Sequence, residues 1–264
     1  MRAARLRCAL HAEWTKQRTV SGTIWLLVAT AVLTIAVSAA AAAATACPHG
    51  RACRVDTVKL SLTGVQFGQA VVAVLAVMTV GGEYSTGMIR TTLTAIPRRG
   101  TVLAAKAATV TAGVLAAATV AVLGSLLAGQ LLLPGHGFTP AHGFPTLSPA
   151  DGSVLRAAAG SVLYLGLIAL LALGAAAAVR DSAAAIGLVL GLLYLFPIVA
   201  AAAANPRWQR HLEQIGPMAA GLEIQATTNL RGLAIGPWAG LGVLAAWAAA
   251  ALLAGGLLLR LRDA

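Results

Sequence analysis

Six stretches almost free of charge run along the chain, over residues 20–46, 60–82, 104–133, 157–179, 182–204 and 233–259. Segments rich in charge, Pro or Gly separate them. A helix needs about 20 apolar residues to cross the hydrocarbon layer of a bilayer, and each stretch meets that length. The pattern predicts an all-α integral membrane protein with six transmembrane helices in a single domain, 1–264. Glu83 closes the second stretch, Pro134-Gly135 the third and Arg260 the last, while only Arg180-Asp181 joins the fourth to the fifth. Thr45-Ala46-Cys47 has the small residues of a lipoprotein cleavage site. The apolar stretch before it, however, is about twice the roughly 7–15 residues of a signal peptide, so a retained helix is expected.

The segments between the spans carry patterns of their own. Near the N-terminus Leu6, Leu10 and Trp14 recur at i, i+4 and i+8, and Arg2, Arg5, Lys16 and Arg18 lie elsewhere on the wheel. This predicts an interfacial amphipathic helix with Trp14 as anchor. Between spans 2 and 3, Ile89, Leu93 and Ile96 give a short helix one apolar face, framed by Glu83 and Arg90, with Gly81-Gly82 before it and Pro97 ending it. A stripe of that kind docks either onto lipid or into a partner's groove. Between spans 5 and 6, apolar residues from Trp208 to Ile224 mix with Arg210, His211, Glu213 and Glu223. That mixture predicts one or two short helices, separated at Gly216-Pro217, at the outer interface or dipping back into the protein.

Composition removes the soluble alternatives. Of 264 residues 59% are hydrophobic and 10% charged, with a mean hydropathy of +0.84, against roughly 25% charged in a soluble domain. The net charge of +11 therefore reads through membrane topology, and with aromatics at 5% nothing suggests a nucleic-acid surface. If the N-terminus is inside, the inner set of basic residues is Arg2, Arg5, Arg7, Lys16, Arg18, Arg90, Arg98, Arg99, Lys106, Arg180, Arg260 and Arg262. The outer set is the smaller one of Arg51, Arg54, Lys59, Arg156, Arg207, Arg210 and Arg231. The bias favours cytoplasmic N- and C-termini.

Chemistry of its own is hard to find in the chain. Its lysines, Lys16, Lys59 and Lys106, do not fall in a phosphate-binding G-x-x-x-x-G-K-[ST] loop, so no ATPase activity and no resident cofactor are expected. The eight acids read as lying at span ends or in loops, which argues against a proton path through the bilayer. Cys47 and Cys53 can close a small disulfide loop on the oxidising side, whereas a metal site at His49 lacks enough ligands. Two His-Gly-Phe repeats at His136 and His142 sit on a Pro/Gly-rich loop. Thr30, Thr34 and Ser38 recur along span 1 and either line a path or bond their own helix carbonyls.

Two stretches give the chain a resemblance. Glu13-Trp14-Thr15-Lys16 with Arg18-Thr19 and Trp25, and Gly82-Glu83-Tyr84-Ser85-Thr86-Gly87 continuing to Arg90, Leu93 and Pro97-Arg98-Arg99, resemble the permease subunit of bacterial ABC transporters of the ABC-2 type. The resemblance implies a six-helix exporter subunit in the bacterial plasma membrane, paired with a second permease copy or paralogue. Separate ABC ATPase subunits would bring the ATP and Mg. It makes the segment after span 2 a cytoplasmic coupling helix, with Glu83, Tyr84, Gly87, Arg90 and Leu93 docking the ATPase, and Glu83 and Arg90 are expected to serve coupling rather than folding. Leu6, Leu10, Trp14 and Lys16 would belong to the interfacial connecting helix. The alternative is a membrane scaffold or a regulatory or immunity subunit that transports nothing.

Overall fold

A computed structural model describes residues 2–47, 55–85, 87–88, 99–139 and 151–261. Among these residues the chain is helical and holds no strand. The first helix, α1 (Arg2–Thr19), leads through Val20 into α2 (Ser21–Ala44). A short α3 (Thr57–Ser61) precedes α4 (Val65–Ser85), and α5 (Arg99–Leu132) runs on into a 3-10 turn at Leu133–His136. Then come α6 (Gly152–Val179), α7 (Ser182–Ala202), the short α8 (Pro206–Ile215) and α9 (Pro217–Leu222), and finally α10 (Pro237–Leu261). Six of these helices, α2, α4, α5, α6, α7 and α10, are long and apolar enough to cross a membrane.

The helix bounds follow the charge-free stretches with physical corrections at their ends. The second stretch is two helices, because the chain turns at Leu62–Gly64 before α4 begins. Glu83 lies inside α4, and α4 ends where Gly87 takes φ +69°, the left-handed conformation that commonly follows a helix. Likewise α5 starts seven residues before Lys106, which places that lysine about 10 Å along the helix, not at its tip. Pro197 is accommodated within α7.

The bundle has a hydrophobic core built chiefly on α4, α5 and α6, and α2 differs from it in what it buries. The buried residues of α2 are Thr23, Thr30, Thr34, Ser38 and Ala42, while Trp25 and Val32 on the same helix are exposed. Small and hydroxylated side chains face the protein because they let backbones approach closely. A Cβ on Gly64 would stand 1.9 Å from the Thr34 carbonyl oxygen, so α2 and α4 can meet there only over a glycine. Thr30 and Thr34 donate to the carbonyls of Leu26 and Thr30 at 2.8 and 2.7 Å, and Ser38 Oγ accepts from the Gly64 N–H at 3.0 Å. The hydroxyl stripe of span 1 is therefore bonded to helix carbonyls and to the Gly64 N–H and is buried against the rest of the bundle. Helix α6 is central and packs on α4, α5, α7 and α10.

The two ends of the bundle differ. One end, called here the near end, holds α1, the end of α4, the start of α5 and the end of α10; Arg99 there donates to the Leu259 carbonyl. The other, the far end, holds α3, α8, α9 and the Cys47–His136 region, where the Cys47 N–H donates to the His136 carbonyl at 2.9 Å. Cys47 is disulfide-bonded and Cys8 is free; Cys53 lies outside the described residues, as do His142 and the second His-Gly-Phe repeat. His136 bonds the Leu132 carbonyl through Nδ1 at 2.8 Å. No metal-competent group of His, Cys, Asp or Glu occurs among the described residues.

Candidate functional site

The near end concentrates four charges inside the protein. Lys106, on α5, donates from Nζ to Glu13 Oε2 at 2.9 Å and to Glu83 Oε1 at 2.8 Å, with the Thr79 carbonyl at 3.4 Å. Lys16, on α1, also donates to Glu83 Oε1. Glu13, Glu83 and Lys106 are buried, at 7%, 3% and 3% exposure, and Lys16 is partly exposed. The cluster ties α1, α4 and α5 together and sums to zero charge. Pairing of this kind is what makes buried charges tolerable, since each ion would otherwise carry a large desolvation cost. Beside it Gln17 and Thr109 Oγ1 meet at 3.0 Å and add a second polar link between α1 and α5.

The amphipathic pattern of α1 explains how it presents Glu13. Ala9 and Glu13 are buried, Leu10 and Lys16 are half-buried, and Trp14 is exposed. The helix thus turns a small-and-acidic stripe toward α5 and leaves Trp14 on its outer face. Leu6 lies within the helix.

Tyr84 follows Glu83 around the helix and faces the α6–α7 turn. The Arg180 guanidinium lies 5.7 Å from its ring centroid, within cation–π range. Arg180 itself takes φ +66° at the end of α6, and Asp181 caps α7 by accepting from the Ala184 N–H at 2.7 Å. A Cβ on Gly81 would meet Ser182 Oγ at 2.1 Å, so α4 and α7 are in close contact at this level.

Next to the ion cluster lies a cavity of about 340 Å³. Leu26, Leu75 and Met78 form apolar wall, and Lys16, Glu83 and Lys106 form a polar wall. The second oxygen of Glu83, Oε2, is buried and has no hydrogen-bond partner among the described residues.

Of the sequence-predicted coupling residues, the structure brings Glu83 and Tyr84 to the last turn of α4 and Gly87 to the bend after it. Arg90 and Leu93, with the Ile89/Leu93/Ile96 stripe, lie outside the described residues. Glu83 is 3% exposed and held by Lys16 and Lys106, so its side chain ties helices together at this end of the bundle. Sequence reasoning missed Lys106 and Glu13 as members of a site. The available signal was a lysine within an otherwise apolar stretch, which demands a partner.

It also missed a polar group in the bundle interior. Tyr164 donates to Gln69 Oε1, Gln69 Nε2 faces Met218 Sδ at 3.0 Å, and Gln225 donates to Ser161 Oγ at 3.1 Å. Tyr194 donates to the Gln66 carbonyl at 2.7 Å. These residues satisfy one another and join α4, α6, α7 and the α9 region. They act as interhelical glue.

At the far end Asp56 is the organising charge. It caps α3 through the Lys59 N–H at 3.1 Å and accepts from the N–H groups of Thr227 and Thr228 and from the Thr227 hydroxyl. Burial pushes the Asp56 carboxyl up, but these donors outweigh it and hold the pKa below the ordinary value. Lys59 pairs with Glu223 at 3.4 Å, and Arg156 donates to the Ala226 carbonyl.

Fold and site together define an all-helical, multi-pass membrane protein. In comparison with known proteins, the chain matches no family model and no curated protein.

Proposed function

We propose that this chain is the membrane-spanning subunit of an ATP-driven exporter of the ABC-2 type, working with separate ATPase subunits and a second permease copy or paralogue. In this reading both termini are cytoplasmic, the membrane is the bacterial plasma membrane, α1 is the interfacial connecting helix, and α8 and α9 are outer helices. The observation that carries it is the placement of the ion cluster directly before the segment after α4. That segment, residues 86–98, makes up most of the Gly82-to-Arg99 stretch that resembles a coupling helix.

The physical role follows from the geometry. A push on the segment after Ser85 acts on the last turn of α4, and Glu83 passes it to α1 and α5 through Lys16 and Lys106. Tyr84 passes it toward the α6–α7 turn through Arg180. Glu83 is then a positioning residue behind the docking surface, and docking falls to Gly87, Arg90 and Leu93 in the segment itself. The chain supplies the path and its partner supplies ATP and Mg.

Met88 is exposed at the head of this segment, which makes it a suitable probe position. A photoreactive residue in place of Met88 should crosslink in native membranes to a nucleotide-binding subunit. Crosslinks to lipid alone would favour the scaffold or regulatory reading.

A further inference from the structure

The hairpin of α8 and α9 has one arm inside the bundle and one outside. Its turn lies at Gly216-Pro217. There the Trp247 indole N–H donates to the Ile215 carbonyl at 3.0 Å, and a Cβ on Gly216 would stand 3.0 Å from Phe196 Cβ. Phe196 lies six residues before the end of α7, which puts the turn about 9 Å in from that end. On the inner arm Met218, Ala220 and Gly221 of α9 are buried, and a Cβ on Gly221 would meet the Tyr164 ring at 2.6 Å. The outer arm, α8, has no buried residue.

The exposed arm is sorted by face. Trp208, Leu212 and Ile215 recur at i, i+4 and i+7 along one side, and Trp208 and Ile215 are 65% and 52% exposed. Arg207 and Arg210, three apart on a separate side, are exposed as well. Neither arginine has an ion pair among the described residues. Three carboxylates of this end are engaged elsewhere: Asp56 with Thr227 and Thr228, Glu223 with Lys59, and Glu213 with the Gln209 amide at 3.1 Å.

We propose that α8 anchors the chain to anionic membrane lipid: Arg207 and Arg210 bind a lipid phosphate, and Trp208 and Ile215 lie against acyl chains. The anchor does not depend on the permease reading or on which end of the bundle is cytoplasmic. An interfacial helix sinks its apolar face about 5–10 Å into the boundary between headgroups and acyl chains, which matches the depth of this turn. Tryptophan favours that boundary. The guanidinium fork fits phosphate oxygens and gives up its water more readily than an ammonium. Water alone would leave the apolar stripe bare, and hydrocarbon alone would strand two cations. A second copy docked through α8 about a two-fold axis would bring the same unpaired arginines to both sides of the contact, like charge on like.

The test is quenching of Trp208 fluorescence in the purified full chain, held in phosphatidylcholine nanodiscs with a minor share of phosphatidylglycerol. Bromine is carried on the acyl chains of one lipid at a time, and the difference between wild type and Trp208→Phe isolates the Trp208 signal. Both brominated lipids should quench it. Phosphatidylglycerol should be enriched around Trp208 over its bulk fraction by at least about five-fold, the share of one basic residue near anionic headgroups. Arg210→Gln should lower that enrichment, and Arg207→Gln combined with Arg210→Gln should abolish it while quenching by phosphatidylcholine persists. Arg231→Gln removes an equal charge from the exposed turn before α10 and should leave the enrichment unchanged, which separates α8 from the net charge of +11.

No quenching by either lipid would mean that protein covers the stripe. Phosphatidylglycerol at its bulk fraction in wild type, or equal enrichment in wild type and the double variant, would mean that the arginines hold no phosphate. Any of these results overturns the anchor.

Discussion

The two ends of this bundle use charge in opposite ways. At the far end, Asp56 is surrounded by donors: three backbone N–H groups and the Thr227 hydroxyl converge on it from α3 and from the loop before α10. The near end holds more charge in a drier place, yet Glu83 Oε2 is buried there with no donor among the described residues, and a cavity lies next to the cluster. One carboxylate is a finished clasp, and the other belongs to a junction of three helices with room left next to it. Ends that move or bind are drawn from the less completed parts of a structure. On the function proposed above, the near end is the working end and the far end is the anchor.

The strongest way to break this comparison is to remove the cation at the centre of the near-end junction. Lys106→Met leaves Glu13 and Glu83 buried with one partly exposed lysine between them, and should cost about 3–5 kcal/mol of unfolding free energy. Reversible unfolding in mixed micelles would read it; a loss near zero would mean that the carboxylates are hydrated and the junction is not a buried one.

A test of packing comes next. Gly64→Val places side-chain atoms against the Thr34 carbonyl and should force α2 from α4 at a cost of about 1–3 kcal/mol. The same substitution at Gly187, where a Cβ meets nothing within 4 Å, should cost well under that in the same assay.

The far-end clasp gives a smaller effect with a pH signature. Asp56→Asn should lose about 1–2 kcal/mol at neutral pH, since one acceptor oxygen becomes a donor facing N–H groups. The folded Asp56 pKa is depressed, so its contribution is present above the unfolded value of 3.8 and disappears as pH falls through the folded value. Wild type and Asp56→Asn should therefore converge in stability only below about pH 4. The smallest effect is at Trp14, which is exposed on α1. Trp14→Ala should change unfolding by no more than about 0.5 kcal/mol and act instead on how α1 sits on anionic vesicles, measured by flotation of the α1 peptide.

Much of the fold was legible because bilayer thickness writes itself into the sequence. Charge-free runs of the required length appear as α2, α4, α5, α6, α7 and α10, and Gly216-Pro217 separates two short helices as its residues predict. What the sequence hides has a common physical cause: a charge at or near the end of an apolar run looks like the edge of a span. Glu83 and Lys106 instead lie inside their helices, because each neutralises the other across the α4–α5 contact and neither needs water. Pairing between residues 23 apart, and again between Lys106 and Glu13, is a tertiary fact that hydropathy cannot show. The interior amide Gln69 escaped for the same reason, since a single polar residue in an apolar run looks tolerated until its partner Tyr164, far along the chain, is placed beside it.

The claim that this chain is a passive membrane partner driven by an ATPase is tested most directly by purifying the tagged full chain from its native membrane in mild detergent and identifying what accompanies it. The account predicts a nucleotide-binding subunit in roughly stoichiometric amount, retained in Trp14→Ala and lost when the segment after α4 is replaced by a Gly/Ser linker. A six-span protein that elutes without any ATPase from a membrane where both are expressed would contradict it.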